Sequence, residues 1–142
     1  MTRTLEDKLK SEFPLLLAEM HGSPQETCMA YGVECDDGWY ELIHSLCKEV
    51  QEWSNRVGVQ IVATQIKEKF GGLRFYISYK KGSVVPAKEW SELTDIINHY
   101  EDLALGTCEI TGGNGTLSKR GFLYKTVAPG TDGFKPATTK FP

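Results

Sequence analysis

No apolar run in this chain of 142 residues approaches the ~20 residues that a membrane-spanning helix requires, so no membrane partner is expected. The opening stretch Met1-Thr2-Arg3-Thr4-Leu5-Glu6-Asp7 lacks the apolar segment of an export signal, which leads to the expectation of a cytoplasmic protein with reduced thiols. Cysteine is sparse and scattered: Cys28, Cys35, Cys47 and Cys108 form no C-x-x-C pair, so neither a redox motif nor paired metal ligands stand out. Internal repeats are missing, which excludes solenoids and arrays. A large charge of one sign is missing too, and a net charge of −3 gives no global attraction to nucleic acid. What remains, 40% hydrophobic and 25% charged residues, is the composition of one soluble globular domain.

The charge is segregated along the chain. Residues 1–55 hold 4 Lys/Arg against 11 Asp/Glu, and residues 56–85 hold 6 against 1. Residues 86–107 hold 1 against 5, and residues 108–142 hold 5 against 2. Acidic helices paired with a basic sheet inside one molecule would produce this alternation, and so would separate docking surfaces.

Hydrophobic spacing assigns the elements. Leu5, Leu9, Phe13, Leu16, Leu17 and Met20 recur at helical steps, and Pro14 splits them into a helix ending near Glu12 and a short one over Pro14–Met20. Asp36 or Asp37 opens a helix over 37–55, whose stripe Trp39, Leu42, Ile43, Leu46, Val50 and Trp53 faces inward, with Gly58 as its stop. From Val59 to Tyr79 the period changes to two, and Gly71-Gly72 supplies the left-handed residues of a two-residue hairpin turn. That register sets Phe70 opposite Leu73, Glu68 opposite Phe75, Ile66 opposite Ile77 and Thr64 opposite Tyr79. The other face then carries Lys69 with Arg74, Lys67 with Tyr76, and Gln65 with Ser78. A further helix over 86–105 starts at Pro86, and a strand over 122–127 follows the turn-rich Thr111–Thr116 stretch. The expected fold is α+β: a small antiparallel sheet built on the 59–79 hairpin and extended by 122–127, with helices on one face. Residues 1–127 form the domain and 128–142 an extended tail.

Three stretches carry a resemblance: Glu12-Phe13-Pro14, Gly32-Val33-Glu34-Cys35-Asp36-Asp37-Gly38-Trp39, and the ungapped Lys67-Glu68-Lys69-Phe70-Gly71-Gly72-Leu73-Arg74-Phe75-Tyr76. Over residues 10–127 the chain resembles a group of uncharacterised phage and prophage proteins. The resemblance implies a phage setting within a bacterial host cell and names no reaction. Members of the group end in a zinc-ribbon-like segment, Thr-Cys-Glu-x-Cys-Gly, then Gly-Trp, then Thr-Leu-Cys and a His. Here Thr111 stands where the second cysteine belongs, Gly121-Phe122 replaces Gly-Trp, and Lys125-Thr126-Val127 replaces the last cysteine motif. Cys108 alone cannot supply four tetrahedral ligands, so no metal and no cofactor are expected, with apolar packing in the metal's place.

Several residues are candidates for chemistry. Asp36 with Asp37 is a candidate acid/base pair, for which a helix start is the plainer account. Glu68, alone on an apolar face, is a candidate general base, although a lysine partner or the sheet edge also accommodates it. Cys28 or Cys35 with His21, His44 or His99 lacks any nucleophile signature, and Cys47 reads as a core residue. The Thr111–Thr116 loop lacks the Gly-Lys-Ser/Thr ending of a phosphate-binding loop. The best binding candidates are Lys67, Lys69, Arg74 and Tyr76, which combine phosphate- or carboxylate-binding cations with a stacking ring. The expected activity is that of a non-enzymatic interaction protein which binds or sequesters a host component, with host defence as one target. A nucleotide or nucleic-acid binder using the same face is the alternative, and a small enzyme using Asp36, Asp37 or Glu68 the third.

Overall fold

The structure, a computed structural model, describes residues 1–137. It is α+β, with three α-helices and two three-stranded sheets among the described residues. Helix α1 spans Arg3–Glu12, α2 Tyr40–Val57 and α3 Ala87–Ala104. The first sheet has the order β1-β2-β3, from Val33–Glu34, Ile61–Lys69 and Gly72–Tyr79. The second has the order β5-β4-β6, from Leu123–Val127, Thr116–Arg120 and Lys135–Pro136.

The hairpin sheet is antiparallel as expected, and the short β1 adds to it in parallel through Val33↔Ile66 and Glu34↔Lys67. Three expectations need correction. Strand β5 does not extend the hairpin sheet but pairs with β4 in a sheet of its own. Pro14–Met20 forms consecutive turns rather than a helix, held by Leu17 N to Phe13 O at 2.9 Å and Met20 N to Leu17 O at 3.1 Å. The expected tail folds back over its described part, where β6 pairs with β4 through Ser118↔Pro136 and Lys119↔Lys135. Residues 138–142 of that tail lie outside the described residues.

The hairpin differs from the expected register in an instructive way. Its two turn residues are Phe70 and Gly71, both left-handed at φ 52° and 84°, so the closing pair is Lys69↔Gly72. The partners of residues 65–69 are therefore displaced by two positions: Glu68 faces Leu73, Ile66 faces Phe75 and Lys67 faces Arg74. A two-residue shift preserves the pleat, so these side chains keep the faces assigned to them, whereas Phe70 leaves the apolar face for the turn and Thr64 falls in a bulge. A bulge between Ala63 and Gln65 restores the apolar alternation through Ala63↔Ile77 and Ile61↔Tyr79.

The core lies between the helices and the inner sheet face. Ile61, Ala63, Ile66 and Leu73 are fully buried there with Leu9, Trp39, Ile43, Leu46 and Val50. Each buried Leu, Ile or Val among them contributes roughly 1.5–3 kcal/mol relative to exposure. Both core tryptophans satisfy their N–H groups, Trp53 on Glu89 O of α3 at 3.0 Å and Trp39 on Thr107 O at 2.9 Å. Helix α2 begins after a 3-10 turn over Asp37–Trp39 and ends on left-handed Gly58 at φ 80°. No helix among the described residues is long and apolar enough to cross a membrane.

Candidate functional site

The register puts Lys67, Lys69, Arg74 and Tyr76 on the sheet face turned away from Ile66, Leu73 and Phe75. Lys67 and Arg74 are direct cross-strand partners, and Lys69 follows one pleat nearer the turn. Lys69 is exposed, and its Nζ lies 5.8 Å from the Phe70 ring centroid. Lys67 and Arg74 are half-buried, the arginine donating from Nη1 to its neighbour Leu73 O at 3.3 Å. Among the described residues none of the three cations lies in an ion pair within 4.0 Å. Two like charges directly opposite one another destabilise a strand pair, and here no described carboxylate closes on either.

Two acids bound this face. Glu34, opposite Lys67 in the parallel register, accepts a long bond from Gln65 Nε2 at 3.5 Å. Glu101 of α3 accepts the Phe75 backbone N–H at 3.0 Å, which satisfies a donor on the outer edge of β3. Burial pushes the Glu101 carboxyl above its usual range, against the lowering pull of that N–H and of the Arg74 charge. Tyr76 stands farther from the turn, opposite Gln65, and opens onto a groove of about 580 Å³ whose other walls include Glu19, Glu26, Thr27 and Cys28. The face therefore grades from cationic near the turn to acidic beside Tyr76.

The candidate acids have structural partners. Glu68 reaches back along its own turn, its Oε2 accepting Gly71 N at 2.6 Å. Asp37 Oδ1 accepts Thr2 N at 2.7 Å. Asp36 ion-pairs with Lys125 Nζ at 2.7 Å, which ties the start of α2 to β5. His21 and His44 bond to Glu6 and Glu12. Burial pushes the Cys47 thiol up to about 12, and burial followed by the charge of Glu109 does the same for Cys35.

Sequence reasoning passed over Glu109, a carboxylate only 2% exposed at the seam between the core and the second sheet. Its Oε2 accepts Asp36 N at 2.9 Å, while Oε1 lies 3.4 Å from Lys125 Nζ without a hydrogen bond among the described residues. Its backbone O accepts Gly38 N at 2.8 Å, and a Cβ on Gly38 would stand 2.4 Å from that same oxygen. Burial raises the Glu109 carboxyl, opposed by the Asp36 N–H and Lys125. The repulsion of Asp36 and Glu68 adds to the rise.

The turn after Cys108 is held by hydrogen bonds. Cys108 N donates to Gly113 O at 2.7 Å and Gly112 N to Cys108 O at 2.8 Å. Thr111 donates its backbone N–H to Cys108 Sγ at 3.4 Å. Burial alone would raise that thiol, but bonds from Thr111 and from the Ala128 and Ile110 backbone bring it below its ordinary value. Among the described residues no three His, Cys, Asp or Glu side chains converge as metal ligands. Compared with known protein families, curated proteins and solved structures, the chain has no match.

Proposed function

We propose that this chain is a non-enzymatic interaction protein that holds an anionic surface of a host component against Lys67, Lys69 and Arg74. One observation carries the reading: Lys67 and Arg74 stand cross-strand on the outward face with Lys69 beside them, and no described residue ion-pairs with them. Cations held outside close ion pairs on a sheet face steer an acidic partner and fix its register. The phage setting, the host cytoplasm and the narrower idea of blocking a host defence protein rest on the resemblance of the Lys67–Tyr76 stretch. The test is affinity capture from host lysate with the wild-type chain and with the Lys67→Glu/Arg74→Glu variant, read by mass spectrometry. Partners captured by the wild type and lost by the variant support the reading. Equal recovery by both chains refutes it.

Tyr76 favours a second reading, a nucleotide or nucleic-acid binder. Its ring is 43% exposed on the same face, two residues from Arg74. An exposed ring beside a guanidinium that forms no ion pair with a described residue suits base stacking next to a phosphate. Titration of labelled oligonucleotides and nucleotides at low and high salt separates the two readings, because no binding at low salt eliminates the second.

A further inference from the structure

The far end of the second sheet presents a different arrangement. Strands β4 and β5 meet at a two-residue turn, Gly121-Phe122, closed by the pair Arg120↔Leu123. Gly121 is left-handed at φ 62°, and the Phe122 ring that follows is fully exposed, at 103% of the reference area. A ring wholly in water has no packing role in the chain that carries it.

Beside the turn, β6 places Lys135 directly opposite Lys119. Like charges in a facing pair destabilise a ladder, and among the described residues no carboxylate forms an ion pair with either lysine or with Arg120. Arg120 is held in place by the Phe134 ring, 4.6 Å from its guanidinium carbon, and by a bond from Nη1 to Asp132 O at 3.4 Å. These three cations line a groove of about 470 Å³ whose walls also include Gly121 and Gly133 and no carboxylate. The one acid in the adjoining turn, Asp132, offers its backbone carbonyl to Arg120.

We propose that this end of the second sheet binds single-stranded nucleic acid, with phosphates against Lys119, Arg120 and Lys135 and a base stacked on Phe122. A cationic track with a free aromatic platform is the arrangement by which single strands are held without sequence readout. A bound phosphate would also relieve the Lys119–Lys135 repulsion that the free chain carries. Duplex ends and acidic peptides offer the same charge, but neither presents unstacked bases to an isolated ring. This site is separate from the Lys67–Arg74 face and does not depend on it.

The experiment is fluorescence anisotropy of labelled oligothymidylate and oligouridylate with the full chain. Three contacted phosphates give a log-log salt slope of about −2, which is about a twentyfold loss of affinity between about 50 and about 200 mM salt. Phe122→Ala should weaken binding about fivefold or more at every salt concentration. Lys119→Gln/Lys135→Gln should weaken binding and flatten the slope to about −0.7. Lys48→Gln/Lys88→Gln, exposed on α2 and α3, should leave both affinity and slope unchanged. All of these side chains lie on the surface, and near-ultraviolet circular dichroism confirms the fold of each variant. The proposal is overturned by no binding at low salt, or by a Phe122→Ala variant that binds as the wild type does. Binding lost only in Lys67→Gln/Arg74→Gln overturns it as well and assigns the strand to the first sheet. Phe122-dependent binding to anionic lipid vesicles without binding to oligonucleotide overturns it in favour of a membrane surface.

Discussion

Between the helices and the first sheet, Trp39, Leu9, Ile43, Leu46, Ile61, Ile66 and Leu73 are sealed from solvent, and the polar groups there serve mainly to close backbone donors. At the second sheet the buried residues are Ser118, Thr126 and Val127, with Cys108 and Glu109 at the seam. Thr126 Oγ1 donates to Gly71 O at 2.7 Å, Glu109 N donates to Thr126 O at 2.9 Å, and Lys125 bridges Asp36 and Glu109. One region is held by area removed from water, which is insensitive to pH. The other is held by a short chain of hydrogen bonds and charges, which is sensitive to it.

The difference sets the scale of what each region loses on truncation. Trp39→Ala removes the largest fully buried side chain beside the seam together with its bond to Thr107 O, and should cost about 3–5 kcal/mol. Urea denaturation checks this, and a loss below about 1 kcal/mol would mean that the site collapses around the cavity. At the seam, Glu109→Ala leaves Asp36 N without its acceptor and Lys125 with Asp36 alone, for a loss of about 1–3 kcal/mol. Thr126→Val, close to isosteric, removes one buried hydroxyl bond and leaves Gly71 O unpaired, for about 1 kcal/mol.

Glu109 also distinguishes the regions by pH. Its carboxyl is raised in the folded chain, chiefly by burial, so the folded state binds the proton more tightly than the unfolded state does. The resulting stability is fully present below the ordinary value of 4.5 and is lost as pH rises through the raised folded value. Glu101 is raised in the same direction at the first sheet, so the informative quantity is the difference between wild type and Glu109→Gln. Unfolding followed from pH 4 to pH 8 should show the wild type losing stability relative to this variant as pH rises. Parallel profiles would remove Glu109 from the seam's energetics. Lys125 is raised chiefly by its bond to Asp36 and the charge of Glu109, against the pull of burial, so its contribution holds below about 10.5 and fades above it.

The same contrast explains what could be read from the sequence. Helices α2 and α3 and the hairpin were legible because each buries one apolar stripe or face, and periodicity reports burial. The faces of residues 65–69 survived an error in the turn because their partners moved by two, although the residues in the turn were Phe70-Gly71 rather than Gly71-Gly72, which took Phe70 off the apolar face. Sequence spacing could not show that β5 leaves the first sheet, since its placement depends on Lys125, Thr126 and Glu109 meeting partners as far away as Asp36 and Gly71. Polar partners at such separations have no period. For the candidate site, alternation put Lys67, Lys69 and Arg74 together, but the flanking acids Glu34 and Glu101 come from β1 and α3, which only the fold brings near. Phe122 was legible as a residue and not as an exposed one, because a hydrophobic residue in a short strand reads as buried.

The smallest effect tests whether the second sheet carries an unsatisfied charge. Lys135 faces Lys119 across β4 and β6, and neither ion-pairs with a described residue. Lys135→Glu turns the facing pair from repulsive to attractive, worth about 0.2–1 kcal/mol in favour of the ladder. Amide hydrogen exchange is the suitable measurement, because protection of β4 and β6 should increase while that of the first sheet stays unchanged. A like-charged pair retained where an attractive one would stabilise the strand is the signature of a surface shaped for something outside the chain. If Lys135→Glu leaves exchange unchanged or faster in β4, the two ammonium groups already avoid each other in solvent, and the groove beside Phe122 carries no stored repulsion for an anion to relieve.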